Sequence, residues 1–196
     1  MKVLVVTGGI GSGKSHIVRM FKALNIPVYL ADDKVKEIYY KDKELIDALV
    51  NLLGDSIIAD GKLNKQAMSS IIFGDKAKLN AVEELVHPAL LKDFYKWKDS
   101  ISDDTPFVIF ESAIYFEKQM FHKIADKVLV VTSPLDLRFN RVMARDNVAK
   151  DVVLQRMSHQ LSEEERVERA DYIVVSNEVR PLIPQIEDIY NKMISL

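Results

Sequence analysis

The 196-residue chain contains no cysteine, which excludes disulfides, thiolate zinc ligands and thiol nucleophiles. No apolar run approaches the ~18 residues of a membrane-spanning helix. There is little net charge: 27 basic and 29 acidic side chains leave −2 at pH 7. The chain therefore has no general pull toward nucleic acid or anionic membrane, and any phosphate chemistry falls to local basic residues. The first residues lack the basic region, long apolar stretch and cleavage site of a secretory leader. Together with the missing cysteines, this gives the expectation of a cytoplasmic protein. Neither internal repeats nor low-complexity segments are present. What remains is an ordinary globular composition, 48% hydrophobic and 29% charged, at the length of one large domain.

Glycine is scarce, yet four of the seven glycines fall at positions 8, 9, 11 and 13. The stretch Gly8-Gly9-Ile10-Gly11-Ser12-Gly13-Lys14-Ser15 has the spacing G-x-x-x-x-G-K-[ST] of a phosphate-binding loop. Its setting fits. Val3–Val6 read as a buried strand, and 15–24 as a helix with Ile17, Met20, Phe21 and Leu24 at helical spacing. Gly9, Gly11 and Gly13 let the backbone approach an oxygen, and the amides around Ser12 point inward to surround a phosphate. The helix adds its positive N-terminal end. Lys14 reaches the outer phosphates of a nucleoside triphosphate, and the Ser15 hydroxyl is a candidate Mg²⁺ ligand. The backbone N–H of His16 is expected near the α-phosphate.

Short apolar runs recur at 3–6, 27–30, 107–110, 128–131 and 173–175, with helical patterns between them. That is the pattern of a parallel sheet buried on both faces, with ligand at the carboxyl ends of its strands. The fold class is α/β, a three-layer phosphate-loop nucleoside triphosphatase core. Residues 33–105 hold no convincing buried strand and read as helices at 33–40, 43–53, 65–73 and 76–100. The expected organisation is one domain over 1–196. Its nucleotide-binding core is 1–54, 106–137 and 166–196. A helical insertion at 55–105 builds an acceptor pocket or a purely structural layer, and a basic helical lid spans 138–165. The last helix, 182–196, reads as core packing.

Four constellations can carry chemistry. Asp32 and Asp33 follow the second strand. Asp32 there can take a proton from an attacking hydroxyl, help hold Mg²⁺, or cap a helix, while Asp33 suits the cap. Arg138, Arg141 and Arg145 share one helix face, placed to clamp phosphates or to pair with Asp136 and Asp146 in solvent. His87 precedes Pro88, so it is expected at a break between helices, as a substrate donor or a cap. Glu111 ends the third strand and can hold Mg²⁺ through water or orient an arginine. The other histidines, His16, His122 and His159, share no metal-ligand spacing.

The loop Thr7–Ser15 resembles that of bacterial dephospho-coenzyme A kinases, and the similarity extends along nearly the whole chain. Leu30-Ala31-Asp32 resembles that family's Asp-Ala-Asp. Gly54-Asp55 through Leu63, Phe73 and His87-Pro88 also match. So do Glu111 to Glu117, Arg141, Arg145, Gln160, Ala170-Asp171 and Asn177. The resemblance implies an enzyme that moves the γ-phosphate of ATP to the ribose 3′-hydroxyl of dephospho-coenzyme A with Mg²⁺, the last step of coenzyme A synthesis. By position, Asp32 would be the base, Arg145 and Arg141 would clamp ATP phosphates, and Asn177 would sit near the adenine. His87, Tyr115 and Phe116 would lie near the acceptor. No obligatory protein partner, nucleic acid or membrane is implied. Leu30 in place of Asp, His16 in place of Thr, Ala113 in place of Pro and Tyr115 in place of Leu depart from the family pattern. The alternative is another phosphate-loop kinase acting on a nucleoside monophosphate or small metabolite. A guanine-nucleotide switch would need an Asn-Lys-x-Asp motif, and Thr132-Ser133-Pro134-Leu135-Asp136 stands there instead.

Overall fold

The computed structural model describes residues 1–158 and 160–196; His159 lies outside the described residues. In chain order the elements are β1 (Lys2–Thr7), α1 (Lys14–Ala23), β2 (Val28–Leu30), α2 (Ala31–Lys41), α3 (Lys43–Leu53), β3 (Ile58–Ala59), β4 (Lys62–Leu63), α4 (Lys65–Ile72), α5 (Lys76–Asp99), β5 (Phe107–Glu111), β6 (Lys127–Thr132), α6 (Leu135–Asp146), α7 (Lys150–Ser158), α8 (Glu163–Glu168), β7 (Tyr172–Val175) and α9 (Leu182–Ile194). They divide into two compact units, 1–30 with 101–196, and 31–100.

The first unit is built on a five-stranded parallel sheet in the order β2-β5-β1-β6-β7. Strand residues alternate between faces. Leu4 and Val6 of β1, Phe107 and Ile109 of β5, and Leu129 and Val131 of β6 turn to one face. They pack there with Ile17, Val18 and Phe21 of α1 and Ile186, Ile189 and Met193 of α9. The intervening residues Val5, Val108, Phe110, Val128 and Val130 are buried as well. On that side the Phe110 ring meets Tyr29 and Phe121, each at 5.7 Å between centroids. The continuous apolar runs of the strands are thus explained by burial on both sides. Leu4→Ala, which leaves a hole at the centre of this packing, is expected to cost about 2–5 kcal/mol of stability, read from the midpoint of a urea melt.

Because all five strands are parallel, their carboxyl ends share one edge. The phosphate loop leaves β1 there. Ser112 N donates to Val6 O (3.2 Å) and Ser176 N to Thr132 O (2.9 Å), so the residues just past β5 and β7 are pinned beside β1 and β6. Asp171 grips the opposite end of β6, accepting from Val128 N and Lys127 Nζ, both at 2.8 Å.

The second unit is helical. α5 contacts α2, α3 and α4. Side-chain caps start three of its helices: Asp42 for α3, Asn64 for α4 and Asp75 for α5. Three expectations are corrected here. First, α5 runs unbroken through Pro88, so His87 is a buried helix-interior residue and not a break or cap. Pro88 removes one backbone donor, and the buried Val82, Val86, Leu90 and Phe94 on neighbouring turns anchor the helix despite it. Second, β2 ends at Leu30 and α2 begins at Ala31. Asp32 and Asp33 therefore both lie in the first helical turn, and Asp33 pairs with Lys36 (2.7 Å) instead of capping. Third, the Asp60-Gly61 turn joins two real strands, β3 and β4, with positive φ at both turn residues. Two-residue strands are too short to show alternation in sequence.

In the first unit, the basic segment after β6 is also not one helix. α6 stops at Asn147, which takes a left-handed conformation (φ 52°), and α7 starts anew at Lys150. Among the described residues no helix is long and apolar enough to cross a membrane.

Candidate active site

The loop between β1 and α1 forms a compact cradle. Ser12 N donates to Gly9 O (3.1 Å), and Lys14 Nζ folds back over the loop to Gly8 O (2.8 Å) and Gly9 O (3.5 Å). Gly11 has φ +78°, and a Cβ there would lie 2.6 Å from the carbonyl oxygen of Arg138. A Cβ on Gly9 would collide with Arg138 Nη2. Both glycines thus admit α6 against the loop, besides any approach of a phosphate. The His16 N–H is not an open donor as expected, because it is bonded to Gly13 O (2.9 Å) in the tight first turn of α1.

Beside the loop lies a cavity of about 540 Å³. That volume suits a nucleotide-sized ligand. Lys14, Arg19, Arg141, Arg145 and Arg180 line it, against one carboxylate, Glu178. Gly11, Gly13, Ser15 and His16 contribute to its wall, so the N-terminus of α1 opens into it. A cationic pocket over a helix N-terminus is a site for a polyphosphate.

The three arginines of the α6 ladder have separate surroundings. Arg141 is a strut. It donates to Ser133 Oγ (3.1 Å), Ser176 O (3.1 Å) and Glu178 Oε1 (3.0 Å), and approaches Gly11 O and Ser12 O at 3.4 and 3.5 Å. It ties the phosphate loop to the turn after β7. Arg145 is mostly exposed and grips Asp146 with both arms, Nε at 2.7 Å and Nη2 at 3.0 Å. Arg156 joins the same carboxylate at 2.6 Å. Hydrogen bonds from Arg145, then Arg156, hold the Asp146 carboxyl down at about 2. Arg138 is buried, bonded to Ile10 O (3.0 Å) and to Glu163 (2.9 Å). It neither lines the cavity nor pairs with Asp136 or Asp146 in solvent, the two alternatives the ladder left open.

The remaining candidates fall in different places. Asn177 Oδ1 accepts from Val179 N (3.2 Å) and Arg180 N (2.8 Å), folding the turn whose next residues line the cavity. Tyr115 and Phe116 are buried against one another at 5.1 Å, and Tyr115 donates to His122 O (3.4 Å). Burial pushes the Tyr115 phenol up. Neither residue lines the cavity. Glu111 ends β5 in register with Val6 and Leu30. Asp32 and His87 belong to the helical unit.

Sequence reasoning missed Arg19, Ser176, Glu178 and Arg180 as cavity residues. Ser176 was within reach of the rule that ligands bind at the carboxyl ends of parallel strands. It also missed Arg166, which sits in the run Glu163-Glu164-Glu165 and looks there like one more solvated charge. It is 1% exposed, facing Glu117 and Glu163.

Residues 2–180 match the family model described as dephospho-CoA kinase. The chain is 34% identical over 181 residues to the dephospho-CoA kinase of Bacteroides fragilis, covering 92% of this chain and 87% of that one. It resembles the crystal structure of TT1252 from Thermus thermophilus with a TM-score of 0.83 at 27% identity, over 99% of this chain and 96% of that one. It shares its fold with the dephospho-CoA kinase of Campylobacter jejuni, with a TM-score of 0.72 at 20% identity, over 100% and 98% of the two chains.

Proposed function

This chain belongs to the dephospho-CoA kinase family of ATP-dependent kinases acting on a hydroxyl group, and on that premise we propose how its residues divide the reaction. The substrates are ATP and dephospho-CoA. The γ-phosphate moves to the ribose 3′-hydroxyl: an O3′–P bond forms, the bond from Pγ to the β-phosphate oxygen breaks, and ADP and CoA leave. The observation that carries this reading is the cationic cavity, with Lys14 and the α1 N-terminus opening into it. Lys14 neutralises charge on the β- and γ-phosphates.

Asp32 accepts the proton of the attacking hydroxyl. This role rests on the family pattern of residues 30–32 and on its place two residues beyond β2. His87, Tyr115 and Phe116 are assigned to the acceptor side on the same pattern, and Asn177 supports the adenine side by shaping its turn. The organisation into core, insertion at 55–105 and lid at 138–165 belongs to the same proposal. The Ser15 hydroxyl, exposed in the cavity wall, is a hard oxygen donor that fits Mg²⁺. When bound, Mg²⁺ would neutralise phosphate charge. A cytoplasmic location is in keeping with this chemistry and with the cysteine-free sequence.

Arg145 clamps ATP phosphates after exchanging Asp146 for them. Arg145→Lys keeps the charge and loses the fork, so kcat/KM for ATP is expected to fall about tenfold or more. Steady-state kinetics at saturating acceptor check this, and unchanged kcat/KM would place Arg145 outside the site. The substrate assignment is tested by ADP release in the presence of dephospho-CoA, AMP, CMP, adenosine or shikimate. Stimulation by dephospho-CoA alone supports it. Stimulation by another acceptor would keep the kinase chemistry and replace the substrate.

A further inference from the structure

Ile10, in the phosphate loop, is gripped at both of its backbone polar groups. Its N–H donates to Gln160 Oε1 (2.9 Å) and its carbonyl accepts from Arg138 Nε (3.0 Å). Its side chain packs against the cluster of Phe139, Val142 and Val153 from α6 and α7. The peptide groups on either side of Ile10 are therefore fixed by residues far along the chain.

Arg138 is itself tightly seated. It is 6% exposed, with Nη1 on Glu163 Oε2 (2.9 Å). Behind it, Arg166 lies between Glu163 (3.5 Å) and Glu117 (3.6 Å). Glu117 also accepts from Leu161 N (3.0 Å), next in sequence to Gln160. The bulk of Arg138 is accommodated because position 9 is glycine: a Cβ there would overlap Arg138 Nη2 and lie 3.2 Å from Arg166 Nη1.

This network is an expensive way to gain stability. Arg166 Nε and Nη2, Glu117 Oε2 and Glu163 Oε1 are buried without hydrogen-bond partners. Apolar side chains of similar volume commonly serve stability as well as, or better than, buried ion networks. Incomplete buried networks are expected where a fixed geometry serves function.

We propose that Arg138, buttressed by Glu163, Arg166 and Glu117, is a positioning residue for the phosphate loop, with Gln160 as its counterpart across Ile10. It acts through the Ile10 backbone and touches no reacting atom. It keeps the loop amides aimed at the phosphates before nucleotide arrives, so that binding does not have to order them. The inference rests on the reading of this loop as the ATP site.

The cost of losing this grip falls on the nucleotide and not on the acceptor. Arg138→Met is expected to weaken ADP binding about tenfold in a calorimetric titration of folded protein. KM for ATP should rise in step while KM for dephospho-CoA stays near wild type. Gln160→Leu, at a half-buried position, should weaken ADP binding in the same direction. A merely structural role would lower the melting temperature and leave the ADP affinity and both KM values of the folded enzyme unchanged, which would overturn the proposal. Should Arg138→Met fail to fold, Gln160→Leu decides alone, and ADP affinity within about twofold of wild type overturns it. Wild-type protein that binds ADP but does not phosphorylate dephospho-CoA would defeat the acceptor assignment, and the ADP titrations would still decide this one.

Discussion

Lys14→Ala is expected to lower kcat by about 10³-fold or more while the protein stays folded. Its amine lies over the loop at Gly8 O and Gly9 O and lines the cationic cavity. Phosphoryl transfer has little covalent chemistry for a protein to perform, so positioning and charge stabilisation supply most of the acceleration. Removing a cation from such a site therefore acts on the transition state more than on the ground state. The fold does not rest on it, because the sheet core is assembled from Leu4, Val6, Phe107, Ile109, Leu129 and Val131 with α1 and α9. The measurement is ADP release under saturating substrates, beside a thermal melt. Wild-type turnover in a folded variant would contradict the loop assignment.

Asp32→Asn is expected to lower kcat by about 10²–10⁴-fold, the range of a lost general base. The substitution keeps the size of the side chain and removes its charge together with its ability to take a proton. Asp32 is exposed in the first turn of α2, where asparagine is tolerated, so stability should change little. The KM values for ATP and dephospho-CoA should move far less than kcat, the mark of an interaction made chiefly in the transition state. An unchanged kcat would leave Asp32 as a carboxylate favouring the helix N-terminus and nothing more.

The fold was legible wherever local pattern and burial agree. The central strands β1, β5 and β6 announce themselves as apolar runs because they are covered on both faces, whereas Ile173 of the edge strand β7 is exposed, and the loop is recognisable because its backbone demands glycine at fixed spacing. Legibility stopped where a residue's neighbours lie far along the chain. Pro88 reads as a break, yet the packed turns around it carry α5 through. Asn147 adopts a left-handed conformation that interrupts the basic segment, and no periodicity foretells that.

The site shows the same division. Lys14 and Ser15 are fixed by the motif. Arg138, Arg141 and Arg145 share one helical spacing but do three different things, because their partners are Ile10 and Glu163, the Ser133–Ser176 turn region, and Asp146. The glycines carry a second meaning that spacing alone does not reveal: Gly9 and Gly11 make room for α6 as well as for a phosphate. Arg166 was invisible, since an arginine in an acidic run looks solvated until the fold buries it.

The central claim is that this cradle moves a phosphoryl group from ATP to the 3′-hydroxyl of dephospho-CoA. The most direct measurement is the product itself: purified protein incubated with ATP, Mg²⁺ and dephospho-CoA, the product identified by mass and its phosphate located by NMR. The account predicts CoA with the new phosphate on the ribose 3′ oxygen, formed one-for-one with ADP. ADP released without CoA, or a phosphate attached elsewhere, would contradict it.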